Sequence, residues 1–88
     1  MAPRPKPKPK AVALKYEAGL RAPFLLAKGS GRAAGRLEAL ARESGVPLLR
    51  DEALAEALYP IDIGDYVPEE YYETVARVFA FVKKIEEA

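Results

Sequence analysis

A Lys-Pro alternation, MAPRPKPKPK, opens the chain, and it confines whatever folds to the residues behind it. Proline fixes φ, and each residue before a proline is pushed to extended geometry. Residues 1–10 therefore read as a flexible, basic arm of polyproline-II type, with no internal hydrogen bonds and no core. Residues 11–88 read as one domain. A body of that size buries only about 60–65% of its unfolded surface, enough to fold alone with little margin.

Charge follows the same division. The chain has 14 Lys and Arg against 13 Asp and Glu. Arg4, Lys6, Lys8 and Lys10 stand in the arm, which holds no acid, so a body of net −3 follows an arm of +4. That is not the basic face of a nucleic-acid-binding domain, and no nucleic-acid partner is expected. No apolar run reaches the roughly 20 residues of a membrane span. The basic start lacks the apolar region of a signal peptide. A cytoplasmic protein is expected.

Missing residue types narrow the chemistry. The sequence has no His, Asn, Gln, Cys or Trp, and its only aliphatic hydroxyls are Ser30, Ser44 and Thr74. Hydrolases of the Ser-His or Cys-His kind would lack their base. A zinc site would have carboxylates alone, a poor ligand set for that metal. The expectation is a protein that is not an enzyme, with no cofactor and no metal.

The body reads as a run of short elements. In AVALKY, Val12, Leu14 and Tyr16 share one face of a strand and Ala13 and Lys15 the other. Gly19 and Pro23 break it. FLLA (24–27) is a continuous apolar run, as in a strand covered on both faces. Lys28-Gly29-Ser30-Gly31 ends that strand, with Ser30 as N-cap of a helix over 32–43. Ala33, Leu37, Leu40, Ala41 and Ser44 form the predicted inner stripe of this helix, and Gly45 stops it. VPLL (46–49) reads as a third strand, which makes strand, helix, strand a right-handed parallel βαβ unit. A short helix follows over 51–58, capped by Asp51, with Leu54, Ala57 and Leu58 inward. A turn-rich loop then leads to Pro68, taken as the first residue of the last helix. Tyr71, Val75, Val78, Val82 and Ile85 make the inner face of that helix. Ala76 lies outside that arc and Phe79 and Phe81 on its borders, as flanking core residues or as the wall of an exposed apolar groove.

Other motifs weigh less. KGSGR places Gly29, Gly31 and Gly35 before a helix N-terminus, but one residue out of register for a dinucleotide fingerprint. A plain strand-to-helix turn is the simpler reading. Asp62, Asp65 and Glu69 lack the spacing of a calcium loop, and Glu69 already serves a helix start. The Lys-Pro arm suits a solubilising tail, or an electrostatic adaptor that binds an acidic protein, membrane or nucleic-acid surface.

Taken together, AVALKY, RAPFLLAKG, ARESGVPLL, DEALAEALY and IDIGDYVPEEYYETVARVFAFV resemble the cytoplasmic domain of the type III secretion export switch proteins. These are the FlhB family of flagella and the YscU family of injectisomes. The resemblance covers residues 11–84. It implies an α/β fold, a small mixed sheet of about three strands surrounded by three helices. In that family the domain follows a membrane segment, docks export substrates and switches the apparatus from early to late ones. The switch involves self-cleavage in an Asn-Pro-Thr-His motif, where an Asn side-chain amide attacks its own carbonyl carbon. Aligned backward from Ala11, the motif falls on Lys6, Pro7, Lys8 and Pro9, of which only Pro7 matches. A lysine has no amide to cyclise, and the chain holds no Asn.

The resemblance thus implies a stand-alone, non-cleaving interaction module of the flagellar or type III export apparatus, at or near the cytoplasmic face of the membrane. Its implied partners are rod- or hook-type export substrates, export-gate proteins and a hook-length ruler protein. The family's docking patch matches Ala22, Pro23, Ala76 and Phe79, with Phe79 in place of the more usual Leu.

Overall fold

The computed structural model describes residues 8–87, with side chains as far as Lys84. Strand β1 spans Lys10–Lys15 and β2 spans Phe24–Ser30. Helix α1 runs Arg32–Glu43, α2 Glu52–Leu58 and α3 Tyr72–Glu87, the last entered through a 3₁₀ turn at Glu69–Tyr71. The α/β class with helices around a small sheet holds. The sheet itself has two strands, β1 and β2, and they are antiparallel.

The third strand is where the expectation fails. Residues 46–50 take no strand geometry, and Val46, Leu48 and Leu49 stay 53%, 46% and 44% exposed. No parallel βαβ unit forms. The turn-rich loop takes the place beside β2 instead. Leu25 N–H donates to Asp65 C=O, Gly64 N–H to Leu25 C=O, and Val67 N–H to Pro23 C=O, at 3.0, 2.7 and 2.8 Å. Phe24 and Tyr66 form an antiparallel bridge. Gly64, at φ 93°, supplies the left-handed turn that sets this segment against the strand.

Three expectations about faces and caps change with it. β1 and β2 slip register between Ala13 and Leu14, where Leu26 is the extra residue. The bulge turns Leu25 fully inward and leaves Leu26 half exposed, so the FLLA run is not covered on both faces. Ser30 remains in β2, and Gly31, at φ 61°, is the N-cap of α1 without any side-chain bond. The inner face of α1 is rotated: Ala34 is buried, Leu37, Glu38 and Ala41 are half-buried, and Ala33, Leu40 and Ser44 are exposed. The reason lies at Gly29, where a Cβ would stand 2.7 Å from the Ala33 carbonyl carbon and 2.9 Å from the Ala34 nitrogen. The helix backbone rests directly on the strand at that point.

Other elements follow their sequence signals. Gly45 N–H bonds Arg42 C=O and Val46 N–H bonds Ala41 C=O, a Schellman closure with Gly45 at φ 70°. The Asp51 carboxylate accepts the Leu54 N–H at 3.0 Å as the cap of α2. Pro68 sits just before the 3₁₀ turn rather than inside the last helix.

The core gathers Leu58, Val67 and Val75, with Val12, Leu14, Leu54, Ile61, Tyr71 and Phe79 packed around them. It lies between the Val12–Leu14 face of the sheet and the layer of α2 and α3, while α1 covers the opposite face. Lys28 ties the loop to this core by donating to Tyr59 C=O and Ile61 C=O, both at 2.9 Å.

Candidate functional site

The turn after β1 closes with Leu20 N–H on Glu17 C=O and with Gly19 at φ 93°. It delivers Ala22 and Pro23 to the start of β2. The Val67 N–H on Pro23 C=O then fixes them. Ala22 is only 2% exposed, so it forms a floor. On α3, Tyr72, Ala76 and Phe79 are spaced by four and three residues and share one face. These two segments meet around one shallow pocket of about 350 Å³, lined by Tyr16, Arg21, Ala22, Pro23, Tyr72, Ala76 and Phe79.

Ala22, Pro23, Ala76 and Phe79 thus come together from segments more than fifty residues apart. Their roles in the wall differ. Ala22 is buried, Pro23 and Phe79 are half-buried, and Ala76 is exposed on the rim. Phe79 also packs against the core, so its ring is at once a core flank and a pocket wall. Phe81 points elsewhere and is 50% exposed.

Tyr16, Arg21 and Tyr72 complete the lining and were not singled out by sequence reasoning. Tyr16 carries a usable signal, since it continues the Val12–Leu14 alternation past the strand end. Its ring lies 6.2 Å from that of Phe79, tilted by 55°. Tyr72 is legible as the residue four before Ala76. Arg21 has no such signal; its guanidinium sits 4.8 Å from the Tyr66 ring centroid, against the bridged loop.

The lining is aromatic and aliphatic but for Arg21. Among the described residues, no carboxylate, aliphatic hydroxyl or amine lines it. The wall offers apolar surface with one cation and two phenol groups beside it.

Elsewhere, Lys6 and Pro7 lie outside the described residues. Lys8 is exposed, and Pro9 C=O accepts the Gly31 N–H at 2.8 Å, extending the β ladder by one bond. Lys10 is already part of β1 and pairs with Glu56 at 2.7 Å. The glycine of KGSGR nearest the strand is explained by helix contact, not by a ligand. Among the described residues, Asp62, Asp65 and Glu69 do not converge into a metal-binding group.

A small sheet is thus faced by α1 on one side and by α2 and α3 on the other, with an apolar notch beside α3. The profile of the FlhB HrpN YscU SpaS Family matches residues 6–82. The chain is 40% identical over 79 residues to the protein YlqH of Bacillus subtilis, covering 89% of this chain and 85% of that one. It is 38% identical over 78 residues to the flagellar biosynthetic protein FlhB of Helicobacter pylori, covering 88% of this chain but 22% of that protein. Crystal structures of the C-terminal domains of EscU, as a point mutant, and of PscU superpose with TM-scores of 0.82 and 0.78. Their identities are 29% and 27%; 86% and 82% of this chain is covered, and 94% of each of theirs. The chain belongs to the FlhB HrpN YscU SpaS family of export switch proteins. It spans about a fifth of the length of its FlhB relatives.

Proposed function

We propose that this protein is a non-enzymatic docking module of a flagellar or type III export apparatus. In this reading it takes an apolar side chain of an export substrate, of rod or hook type, or of a neighbouring gate component into the pocket between Pro23 and α3. The observation that carries the reading is the convergence of Ala22, Pro23, Ala76 and Phe79 on one apolar pocket. The family resemblance points to the same four residues independently of the geometry. Self-cleavage of the family type has no place in this reading, because the chain contains no Asn to form the cyclic imide.

Rod and hook subunits pulled down by the full chain provide the test. Ala76→Asp puts a charge on an exposed rim position, so it leaves the circular dichroism spectrum unchanged and weakens capture about tenfold or more, the effect of roughly 1.4 kcal/mol. Phe79→Asp removes a side chain that also packs on the core, so it is read only alongside a melting curve. Undiminished capture by folded Ala76→Asp refutes the pocket. Capture that instead collapses with added salt assigns binding to the basic arm.

A further inference from the structure

The pocket beside α3 has one charged lining residue, Arg21. Its backbone lies between fixed neighbours. Leu20 N–H closes the turn onto Glu17 C=O on one side, and buried Ala22 forms the floor on the other. The Arg21 guanidinium lies over the Tyr66 ring, 4.8 Å from its centroid. That ring is on a tied segment, since Tyr66 bridges Phe24 and Val67 N–H donates to Pro23 C=O. A guanidinium against a ring uses its flat face and keeps its N–H edge for another group. Among the described residues that edge meets nothing. Arg21 donates no side-chain hydrogen bond and pairs with no carboxylate.

The acids that adjoin the lining in sequence are already engaged. Glu17 follows Tyr16 and pairs with Lys15 at 3.0 Å, and Glu73 follows Tyr72 and pairs with Arg77 at 2.6 Å. Neither is part of the lining. The pocket therefore joins apolar surface to one cation that lacks a counter-charge. Its volume is about 350 Å³, near the lower end of the roughly 300–1,000 Å³ of small-molecule sites. A space of that size takes one side chain, and the residues on either side of it in the partner come to the rim. Arg21 is exposed at that rim.

We propose that the pocket selects a partner segment in which a carboxylate stands next to the apolar side chain, and that Arg21 is the residue that reads it. The inference rests on the docking reading of the pocket and adds its specificity. The carboxylate makes a two-pronged contact with the guanidinium, while its apolar neighbour fills the space between Pro23 and Phe79. A segment with Lys or Arg at that place is disfavoured, because like charges would meet beside an apolar wall. The chain's own Lys-Pro arm is a poor occupant for the same reason. The ion pair is partly solvated, so it adds a modest factor to affinity. Its main effect is the choice among apolar segments.

The full chain is titrated by NMR with the capped peptide Gly-Ser-Glu-Phe-Glu-Ser-Gly and with its counterpart carrying Gln in place of both Glu. Glu flanks Phe on both sides so that either chain direction presents a carboxylate to Arg21. The expected result is that both peptides shift the signals of Tyr72, Ala76 and Phe79 at concentrations up to about 1 mM. The Glu peptide binds about fivefold tighter, and added salt shrinks that preference. Arg21→Gln, at an exposed position, leaves the circular dichroism spectrum unchanged and abolishes the preference, with the Gln peptide bound as before. Arg21→Lys, which keeps the charge, keeps a preference. Equal affinity of the two peptides overturns the proposal and leaves the pocket reading standing. So does a preference that survives Arg21→Gln, or equal binding of a Glu-Ala-Glu control. Absence of any shift with either Phe peptide overturns both.

Discussion

At the scale of single residues, two side-chain choices hold the sheet to its surroundings. Gly29 is required by closeness, not by conformation: a Cβ there would stand 2.8 Å from the Ala33 carbonyl oxygen. Gly29→Ala forces α1 off the strand and costs about 1–3 kcal/mol, the range for overpacking a tight contact. Urea unfolding measures this as a lower midpoint at unchanged slope. Lys28 works the other way, reaching across to two loop carbonyls, at 2.9 Å each, and lying 5.1 Å from the Tyr59 ring centroid. Lys28→Met keeps the stem and removes the donors. The expected loss is about 1–2 kcal/mol, at the lower end for charged hydrogen bonds because the group is partly solvated. Amide exchange should localise the loosening to residues 59–63.

At the scale of elements, the short helices depend on their ends. Helix α1 closes through Gly45 in the left-handed region. Gly45→Ala places a Cβ in that conformation and lowers stability by about 1 kcal/mol, visible as a fall in thermal midpoint of several degrees for a domain of this size. This end was legible in the sequence, as were the Asp51 cap and the bounds of α1 and α2, because caps are local signals within a few residues. Which face α1 buries was not legible. Its small and large apolar residues spread around the helix, and the choice fell to Gly29, which admits the backbone at Ala33 and Ala34. VPLL fails as a strand for a similar reason. Its apolar character is real, but the place beside β2 that a βαβ unit would bring it to is taken by residues 64–67.

At the scale of the whole molecule, the last two residues of the Lys-Pro run belong to the folded body. Pro9 C=O accepts the Gly31 N–H and Lys10 is in the sheet, so a deletion that spares these contacts is confined to residues 2–7. Their deletion should shift the melting temperature by less than about 4 °C, the equivalent of 1 kcal/mol for a domain this small. It should leave capture through the α3 pocket intact. A larger fall would mean that the Lys-Pro run contributes to the fold. The pocket is assembled only at this scale, because Ala22 and Pro23 reach Ala76 and Phe79 through the packing of α3 over the β1–β2 turn.

By itself the sequence determined the presence of three helices, the Asp51 cap and the Gly45 closure, the inward face of β1 and the absence of an Asn for imide chemistry. It also held the set of motifs by which Ala22, Pro23, Ala76 and Phe79 could be singled out. These are matters of local spacing and residue type. The tertiary structure alone decided that a Gly64 turn rather than VPLL lies along β2, that the bulge at Leu26 turns Leu25 inward, and that Tyr16, Arg21 and Tyr72 join the pocket. Strand pairing and surface lining depend on which distant segments compete for the same hydrogen bonds and the same apolar area, and that competition is settled only when all of them are present at once.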